Sequence, residues 1–268
     1  MKFAVPLRNI VALLAFVTGA FAMGGTATTA GDANKSQAKP PGHVVGSRVE
    51  GLPVPEKGTT VLDGLYMTVF SSGGSLVKIF YFFTPAGYLS MSPFGGIDRF
   101  DFAAAAKKQP STTGAYSIQG NKLIARFANN KTLQISYAVT KEGIELDGFY
   151  AFKAEPYKSG AVLDGKYSGS IAVGGGGQTA VASARTYLFK KDGTYELETA
   201  GAATLPTKNG QETIGGSGKQ KGTYKLSGNT LELKASDGKL TRHTIFPYEN
   251  YSRQIELNID GMFCKPIR

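Results

Sequence analysis

The chain contains no tryptophan, one cysteine and two histidines among its 268 residues. The single cysteine, Cys264, excludes an internal disulfide, so burial of apolar side chains must stabilise the fold. One cysteine and two histidines cannot supply the usual His and Cys ligand sets of a zinc site. A catalytic serine–histidine pair is also not expected, because His243 is the only histidine after residue 60, where the hydrophobic alternation begins. We therefore expect no metal, no cofactor and no enzymatic activity.

Long apolar runs are missing too, apart from one near the N-terminus. Lys2 and Arg8 lead into an uncharged apolar run over residues 10–21, and Ala20-Phe21-Ala22 has the small-x-small pattern of a signal peptidase site. The run is about twelve residues long, whereas a membrane-spanning helix needs roughly twenty. We predict a Sec-type signal peptide over residues 1–22, no integral membrane segment after its removal, and a periplasmic or secreted protein. Without a cysteine after the run, the protein is not expected to be a lipoprotein.

Residues 23–58 show no hydrophobic period, and we predict a disordered linker there. The net charge of the sequence is +10 and is spread along the chain. No basic run interleaved with aromatics is present, so nucleic acid is not an expected partner. A surface that carries this dispersed positive charge favours weak association with anionic envelope polymers, including lipopolysaccharide.

From residue 61 onward the chain contains the same pattern twice. The matched anchors stay in order, and the offset between them grows from 101 to 113 residues through insertions. The anchors are residues 62–66 with 163–167 (offset 101), Phe83 and Gly87 with Phe189 and Gly193 (106), residues 114–123 with 222–231 (108), and residues 144–148 with 257–261 (113). We interpret this as a duplication, with copy 1 over residues 59–157 and copy 2 over residues 158–268.

Each copy has the period-two alternation of antiparallel strands that bury one face. Ile255, Leu257 and Ile259, for example, alternate with polar residues. The runs are separated by turn dipeptides, namely Gly120-Asn121, Gly228-Asn229, Asp192-Gly193 and Asp237-Gly238. We predict an all-β fold with about seven or eight short strands in each copy. A closed barrel is favoured over a sandwich because closure removes exposed strand edges.

The two copies differ at one matched place between strands. In copy 1, Asp101 can cap a short helix through Phe102 to Lys108, ended before Pro110. Copy 2 has a stretch rich in glycine, threonine and lysine over residues 200–218 in the same place. Each insertion is interpreted either as a simple loop or as a cover over the entrance of a barrel.

Copy 2 combines two spaced patterns, Phe189-x-x-Asp192-Gly193-x-Tyr195 and Gly222-x-Tyr224-x-Leu226-x-Gly228-Asn229-x-Leu231. Copy 1 is similar, with Pro85-Ala86-Gly87 in place of the Asp-Gly turn. These patterns resemble small exported bacterial lipocalin-like (calycin-type) domains, over residues 61–155 and 162–267. Lipocalins carry Gly-x-Trp on the first strand, where this chain has Gly64-x-Tyr66 and Gly165-x-Tyr167. The resemblance implies two closed barrels, each with a mouth that can hold one small molecule.

Aromatic residues are the candidates for lining such a cavity. The candidate residues are Tyr66, Tyr81, Phe83, Tyr116, Tyr167, Tyr187, Phe189 and Tyr224. Filling of the core is the alternative role for all of them. In Phe80-Tyr81-Phe82-Phe83 both faces of one strand are apolar, so this strand is expected to be covered by the other copy, by the linker or by a partner.

Two functions are consistent with these features. The first is a non-enzymatic binding protein that holds a small apolar or amphipathic ligand in a barrel cavity. The second is an interaction module of the envelope, which docks to anionic cell-wall or lipopolysaccharide components through a basic surface. The volume inside each barrel separates the two, because a ligand needs a void of about 300 Å³ or more.

Overall fold

The computed structural model describes residues 48–56, 62–72, 75–141, 143–174, 180–207, 210–250 and 252–268. The predicted signal peptide, residues 1–22, and most of the predicted linker lie outside these residues. The described chain is all-β and forms two closed antiparallel barrels of eight strands each, which confirms the predicted fold class. In this part of the chain, no helix has the length and apolar character needed to cross a membrane.

Barrel 1 contains strands β1 to β8 and follows the sequence order around the barrel. Its strands are β1 (Gly64–Ser72), β2 (Ser75–Phe83), β3 (Tyr88–Met91), β4 (Thr113–Gln119), β5 (Lys122–Phe127), β6 (Thr132–Val139), β7 (Ile144–Leu146) and β8 (Phe149–Lys153). β8 closes the barrel by pairing with β1, with Lys153 opposite Tyr66.

Barrel 2 contains strands β9 to β16 and closes in the same way. Its strands are β9 (Gly165–Gly174), β10 (Ala180–Phe189), β11 (Thr194–Thr207), β12 (Gly210–Ser227), β13 (Thr230–Ala235), β14 (Leu240–Glu249), β15 (Ile255–Ile259) and β16 (Met262–Ile267). β16 pairs with β9, with Pro266 opposite Tyr167.

The two barrels have the same stagger between strands. When the pairing is followed once around barrel 1, from Tyr66 to Tyr81 and onward, it returns to β1 displaced by twelve residues. The pairing around barrel 2 returns to β9 with the same displacement. Strand number and stagger together set the width of a barrel, so the two interiors have the same frame.

Sharp turns close the hairpins where the sequence predicts them. Gly120 and Gly228 have φ of 59° and 55°, which a residue without a Cβ adopts at low cost. Asp147 and Asp260 occupy matched turns with φ of 54° and 49°. Aspartate tolerates this backbone conformation better than most residues do, so both Asp-Gly pairs have a structural role at these turns.

A tyrosine on the fourth strand of each barrel closes its lower end, which we define as the end at residues 62 and 163. The Tyr116 hydroxyl accepts a hydrogen bond from the Leu62 N–H at 2.8 Å and lies 3.0 Å from the Leu62 carbonyl oxygen. The Tyr224 hydroxyl makes the same two contacts with Leu163, each at 2.8 Å. The segment before the first strand is thereby held against the end of its barrel, and both leucines are buried.

The predicted short helix is present, and it lies on the outer face of barrel 1 rather than over a barrel entrance. This helix, α1 (Phe102–Lys108), begins after Asp101, whose side chain accepts a hydrogen bond from the Ala104 N–H at 2.9 Å. Phe102 packs against Phe82, with ring centroids 5.8 Å apart. Leu52 is buried in the same cluster, so residues 48–56 of the predicted linker lie against the barrel.

The outer faces of the two barrels pack against each other around Phe80 and Phe246. Their ring centroids are 5.7 Å apart, and Phe246 is fully buried together with Leu65 and Met67. Thr230 on β13 accepts hydrogen bonds from two backbone N–H groups of residues 97 and 98, at 2.9 and 3.0 Å. The apolar strand β2 is therefore covered on its outer face by barrel 2 through Phe80, and by α1 through Phe82.

Residues 200–207 and 210–218 form strand rather than a loop or a helix. They extend β11 and β12 into a long hairpin, which pairs from Thr194 opposite Thr223 to Thr207 opposite Gly210. Small residues such as Gly201 and Ala202 can lie in a strand, but glycine has a low strand propensity. They also give no alternation of apolar and polar side chains, so the sequence pattern does not reveal the strand. Among the described residues, the upper part of β12 pairs with β11 alone, so the hairpin projects beyond the closed part of barrel 2.

Candidate functional site

All eight predicted lining residues have a position on an inner face, and they form an aromatic cluster in the lower half of each barrel. Phe83 packs edge-on against Tyr116 at 4.9 Å in barrel 1, and Phe189 packs in the same way against Tyr224 at 5.0 Å in barrel 2. Tyr167 is partly buried, whereas the exposed fractions of the others are between 0 and 8%: Tyr66, Tyr81, Phe83, Tyr116, Tyr187, Phe189 and Tyr224.

The low exposure of these rings has a direct structural meaning. A side chain that lines a void large enough for water has accessible surface even when the void is sealed. Phe83, Tyr187 and Phe189 have none. The lower halves are thus packed cores, in which the aromatic residues fill space rather than surround a ligand.

The upper half of barrel 1 is apolar and filled. The rings of Phe70 and Phe149 stack with their centroids 4.4 Å apart across this end. Ile79, Phe127 and Ile135 are buried in the same cluster. We call these five side chains the plug of barrel 1.

The matched positions of barrel 2 carry different side chains. Because the two frames coincide, the five plug residues in the order Phe70, Ile79, Phe127, Ile135 and Phe149 correspond to Ile171, Arg185, Ala235, His243 and Met262. Two apolar residues are replaced by Arg185 and His243, and three phenylalanines are replaced by smaller residues. We call these five side chains of barrel 2 its mouth.

His243 is fixed inside the mouth by two hydrogen bonds. Its Nδ1 lies 2.6 Å from Oδ2 of Asp260, and its Nε2 lies 3.2 Å from the Thr241 hydroxyl. Because a carboxylate only accepts hydrogen bonds, the histidine proton in the first contact is on Nδ1. Oδ1 of Asp260 accepts a further hydrogen bond from the Thr244 N–H at 2.8 Å. Asp260 thus orients the imidazole and also secures its own turn.

Arg185 lies on the inner face of β10, opposite Gly169 and Thr199. Its guanidinium is partly buried, and the neighbouring Tyr187, Asp260 and Cys264 have a net effect that raises the pKa of this group despite desolvation. Burial raises the pKa of the Tyr187 hydroxyl and of the Cys264 thiol to about 12 each. At neutral pH Arg185 is therefore charged, the Tyr187 hydroxyl and the Cys264 thiol are neutral, and the thiol is not activated as a nucleophile.

A groove of about 380 Å³ lies on the outside of barrel 2, at the base of the long hairpin. Its walls include Ala184, Thr186 and Ala200, and a Glu198–Lys219 ion pair of 2.7 Å closes one side. These side chains face away from the barrel interior. The two charges satisfy each other, so the groove has no free charged group that would select a ligand.

The sequence alone predicts the aromatic cluster but not the mouth, since neither His243 nor Arg185 is among the predicted site residues. The signal was nevertheless present, because the repeat offset of 106 aligns Arg185 with Ile79 and the offset of 108 aligns His243 with Ile135. A charged residue that aligns with an apolar one in a duplicated core marks the copy that has acquired a polar interior.

The comparisons with known proteins add no relatives: no family model, curated protein or solved structure matches the chain. Among the described residues, no group of three or more His, Cys, Asp or Glu side chains is placed to hold a metal ion. The candidate site is therefore defined by the geometry of barrel 2 alone.

Proposed function

We propose that the protein is an exported, non-enzymatic binding protein related to small bacterial lipocalin-like (calycin-type) barrels. Its ligand is a small amphipathic molecule, bound in the mouth of barrel 2. Barrel 1 is a scaffold in this proposal, since its plug occupies the equivalent space.

One observation carries the proposal, namely the replacement of the barrel 1 plug by a polar and less bulky mouth in barrel 2. A partly buried cation is costly in a core that needs only stability, where isoleucine serves at the same position in barrel 1. Arg185 and His243 therefore favour a function for this interior beyond packing. Ala235, opposite Phe127 in the alignment of the barrels, removes an aromatic ring from the space beside them.

Native mass spectrometry of the mature protein, purified from its own cell envelope, tests the proposal. We expect a bound small molecule on the wild-type chain and its loss in Ala235→Phe, which restores to the mouth the ring found at Phe127. Val139→Phe is the matched control, because Val139 is 71% exposed on barrel 1 and the same side chain is introduced there. An empty wild-type protein, or an adduct that persists in folded Ala235→Phe, would contradict the proposal.

A second candidate function is docking to anionic cell-wall or lipopolysaccharide components. It is favoured by the net charge of +10 and by the packed lower halves of both barrels, which leave no room for a deep ligand. Exposed lysines such as Lys166, Lys225 and Lys234 would supply the contacts. A pull-down on cell-wall and lipopolysaccharide fractions distinguishes the functions, because docking of this kind weakens as salt is added, whereas a bound small molecule is retained.

A further inference from the structure

We infer that the outer face of β12 and β13 is a docking surface for an extended, acidic peptide segment of a partner protein. Three exposed lysines, Lys221, Lys225 and Lys234, define this surface, which we call the lysine face. It lies on the outside of barrel 2, so the inference goes beyond the function proposed for the mouth.

Barrel 1 shows what lies on the equivalent face. Its residues 52–56 lie against the outer face of β3 to β5, and Leu52 is buried in an apolar cluster with side chains of β3, β4 and α1. At the end of this segment, the Glu56 carboxylate forms an ion pair with Arg126 and accepts a hydrogen bond from the Gln119 amide at 2.7 Å. This face of barrel 1 therefore already holds a peptide segment, through apolar contacts and a carboxylate.

The two faces correspond position by position, because the two barrels have the same stagger. The pairing of β4 with β5, and of β12 with β13, places Lys234 at the position of Arg126. In the same alignment Lys225 corresponds to Ser117, a buried residue whose hydroxyl is hydrogen-bonded to Glu56. The lysine face thus keeps the cation that meets Glu56 in barrel 1 and replaces the hydroxyl with a second cation.

The lysines of this face lack an acidic partner in the described part of the chain. No described carboxylate lies within ion-pair distance of Lys221, Lys225 or Lys234. Glu232 lies opposite Lys225 but is paired with Arg242 at 3.1 Å. Lys234 is the diagonal neighbour of both other lysines, so the three like charges repel one another until an anion lies among them.

Residues 154–164, which precede β9, leave the lysine face exposed. Glu56 lies eight positions before the first strand of barrel 1, and Tyr157 lies eight positions before the first strand of barrel 2. The backbone of Tyr157 pairs with Gly228, at the turn between β12 and β13, with N–H···O distances of 2.8 and 3.1 Å. Copy 2 therefore lacks both the acidic residue and the covering segment of barrel 1, and a partner would supply both.

The composition of the lysine face indicates the kind of segment. Thr194 and Thr223 correspond to the apolar β3 and β4 residues of the Leu52 cluster in barrel 1. Without an apolar anchor, binding depends on opposite charges, so we expect a segment with several Asp or Glu residues that binds reversibly and more weakly as salt is added. A peptide is favoured over a polysaccharide because the equivalent face of barrel 1 holds a peptide.

The test measures the fluorescence anisotropy of two labelled probe peptides on the mature full chain. One is a repeat of Glu-Pro, which is acidic and extended, and the other is a repeat of Gln-Pro with the same length and no charge. We expect saturable binding of the Glu-Pro peptide, and binding of the Gln-Pro peptide that is weaker by about tenfold or more. Lys225→Gln combined with Lys234→Gln should weaken binding of the Glu-Pro peptide by about threefold or more, because two ion pairs are lost. Lys141→Gln combined with Lys158→Gln removes two exposed charges elsewhere and should leave the affinity unchanged.

Three other outcomes would overturn the inference. Equal affinities for the two peptides, or equal losses in the two double variants, would show that the lysine face has no specific site for an acidic segment. Vesicles of purified lipopolysaccharide provide the third comparison. If they bind the wild-type chain more tightly than the Glu-Pro peptide does, and lose this binding in the variant of Lys225 and Lys234, the face docks an anionic polymer and not a peptide. All three results are independent of native mass spectrometry, because the lysine face and the mouth are separate surfaces.

Discussion

Barrel 1 and barrel 2 each have eight strands, with the same stagger and a similar aromatic lower half. The upper half of the interior, however, is apolar in barrel 1 and contains charged and polar side chains in barrel 2. The lower half of each barrel contains the tyrosine that holds the segment before the first strand. The upper half is a plug of phenylalanine and isoleucine in barrel 1, and a mouth with Arg185 and His243 in barrel 2. The comparison teaches that the lower half maintains the fold, whereas the upper half is free to diverge after duplication.

Under the proposed function, the two barrels have different roles. Barrel 1 buries its β2 outer face against barrel 2 through Phe80 and Phe246, so barrel 2 has a large apolar partner. A barrel with a polar mouth has less apolar burial of its own, and packing against a filled barrel offsets part of that loss. In this view barrel 1 is the stabilising half of the pair, and barrel 2 is the half that binds.

The largest expected effect comes from exchanging the two residues that differ most between the barrels. Ile79→Arg places an unpaired charge in the plug, where the side chain is 2% exposed, and should cost on the order of 3–5 kcal/mol. Arg185→Ile should change the free energy of unfolding by no more than about 1 kcal/mol, because it restores the residue that barrel 1 tolerates. Denaturant unfolding of both variants checks the asymmetry. Equal losses of unfolding free energy in the two variants would contradict the difference between an apolar plug and a polar mouth.

The next effect concerns the contact between the barrels. Phe246→Ala should cost about 3 kcal/mol, since it removes a fully buried ring from the interface. Scanning calorimetry should then resolve two transitions, one for each barrel, because the coupling between them is weakened. Leu240→Ala, on the same strand and with a side chain that is 49% exposed, provides a control with little expected change. A single unshifted transition in Phe246→Ala would show that the barrels do not stabilise each other.

The lower ends should respond equally to the loss of the tyrosine hydroxyl. Tyr116→Phe and Tyr224→Phe each leave a buried N–H and carbonyl without their partner, at a cost of about 1–3 kcal/mol. The Cys264 thiol, buried inside barrel 2, reports which barrel has been loosened. Tyr224→Phe should speed up its labelling under native conditions more than Tyr116→Phe does. The opposite order would contradict the assignment of each tyrosine to the end of its own barrel.

The smallest effect is expected at Thr230. Thr230→Val removes the acceptor for the N–H groups of residues 97 and 98 and should cost about 1 kcal/mol. Thermal melting measures the change, and Thr223→Val, at an exposed position on the outer face of β12, is the matched control. This contact joins a segment of barrel 1 to barrel 2. An unchanged melting temperature would therefore mean that the apolar cluster around Phe80 and Phe246 alone stabilises the packing of the two barrels.

Much of the fold could be predicted from the sequence, because its signals are local. The matched Gly-Asn and Asp-Gly turns, the Asp101 cap and the period-two alternation are confirmed by the strands, turns and helix observed. The long β11–β12 hairpin was hidden because glycine and alanine carry a weak strand signal. The covering of Phe80 by Phe246 depends on how the two copies pack, and no local pattern specifies that.

The sequence predicted the aromatic lower half of each barrel interior, but not the candidate site above it in barrel 2. Alternation identified the inward aromatics, but it could not tell a packed core from a cavity, because both require apolar residues facing inward. The mouth depends on which positions of the two barrels coincide, and that follows from the stagger of the strands. Arg185 and His243 become conspicuous only when each is compared with the isoleucine at the same place in barrel 1.

Three buried methionines give the most direct test of the central claim, that ligand binds in barrel 2 and not in barrel 1. Met262 lies in the mouth of barrel 2, Met91 lies inside barrel 1, and Met67 lies at the interface between the barrels. Methyl NMR of the methionine-labelled protein during titration with octanoate, used as a small amphipathic probe, should shift the Met262 signal and leave the Met91 signal unchanged. A shift of Met91, or an unmoved Met262 signal at saturating octanoate, would contradict the account.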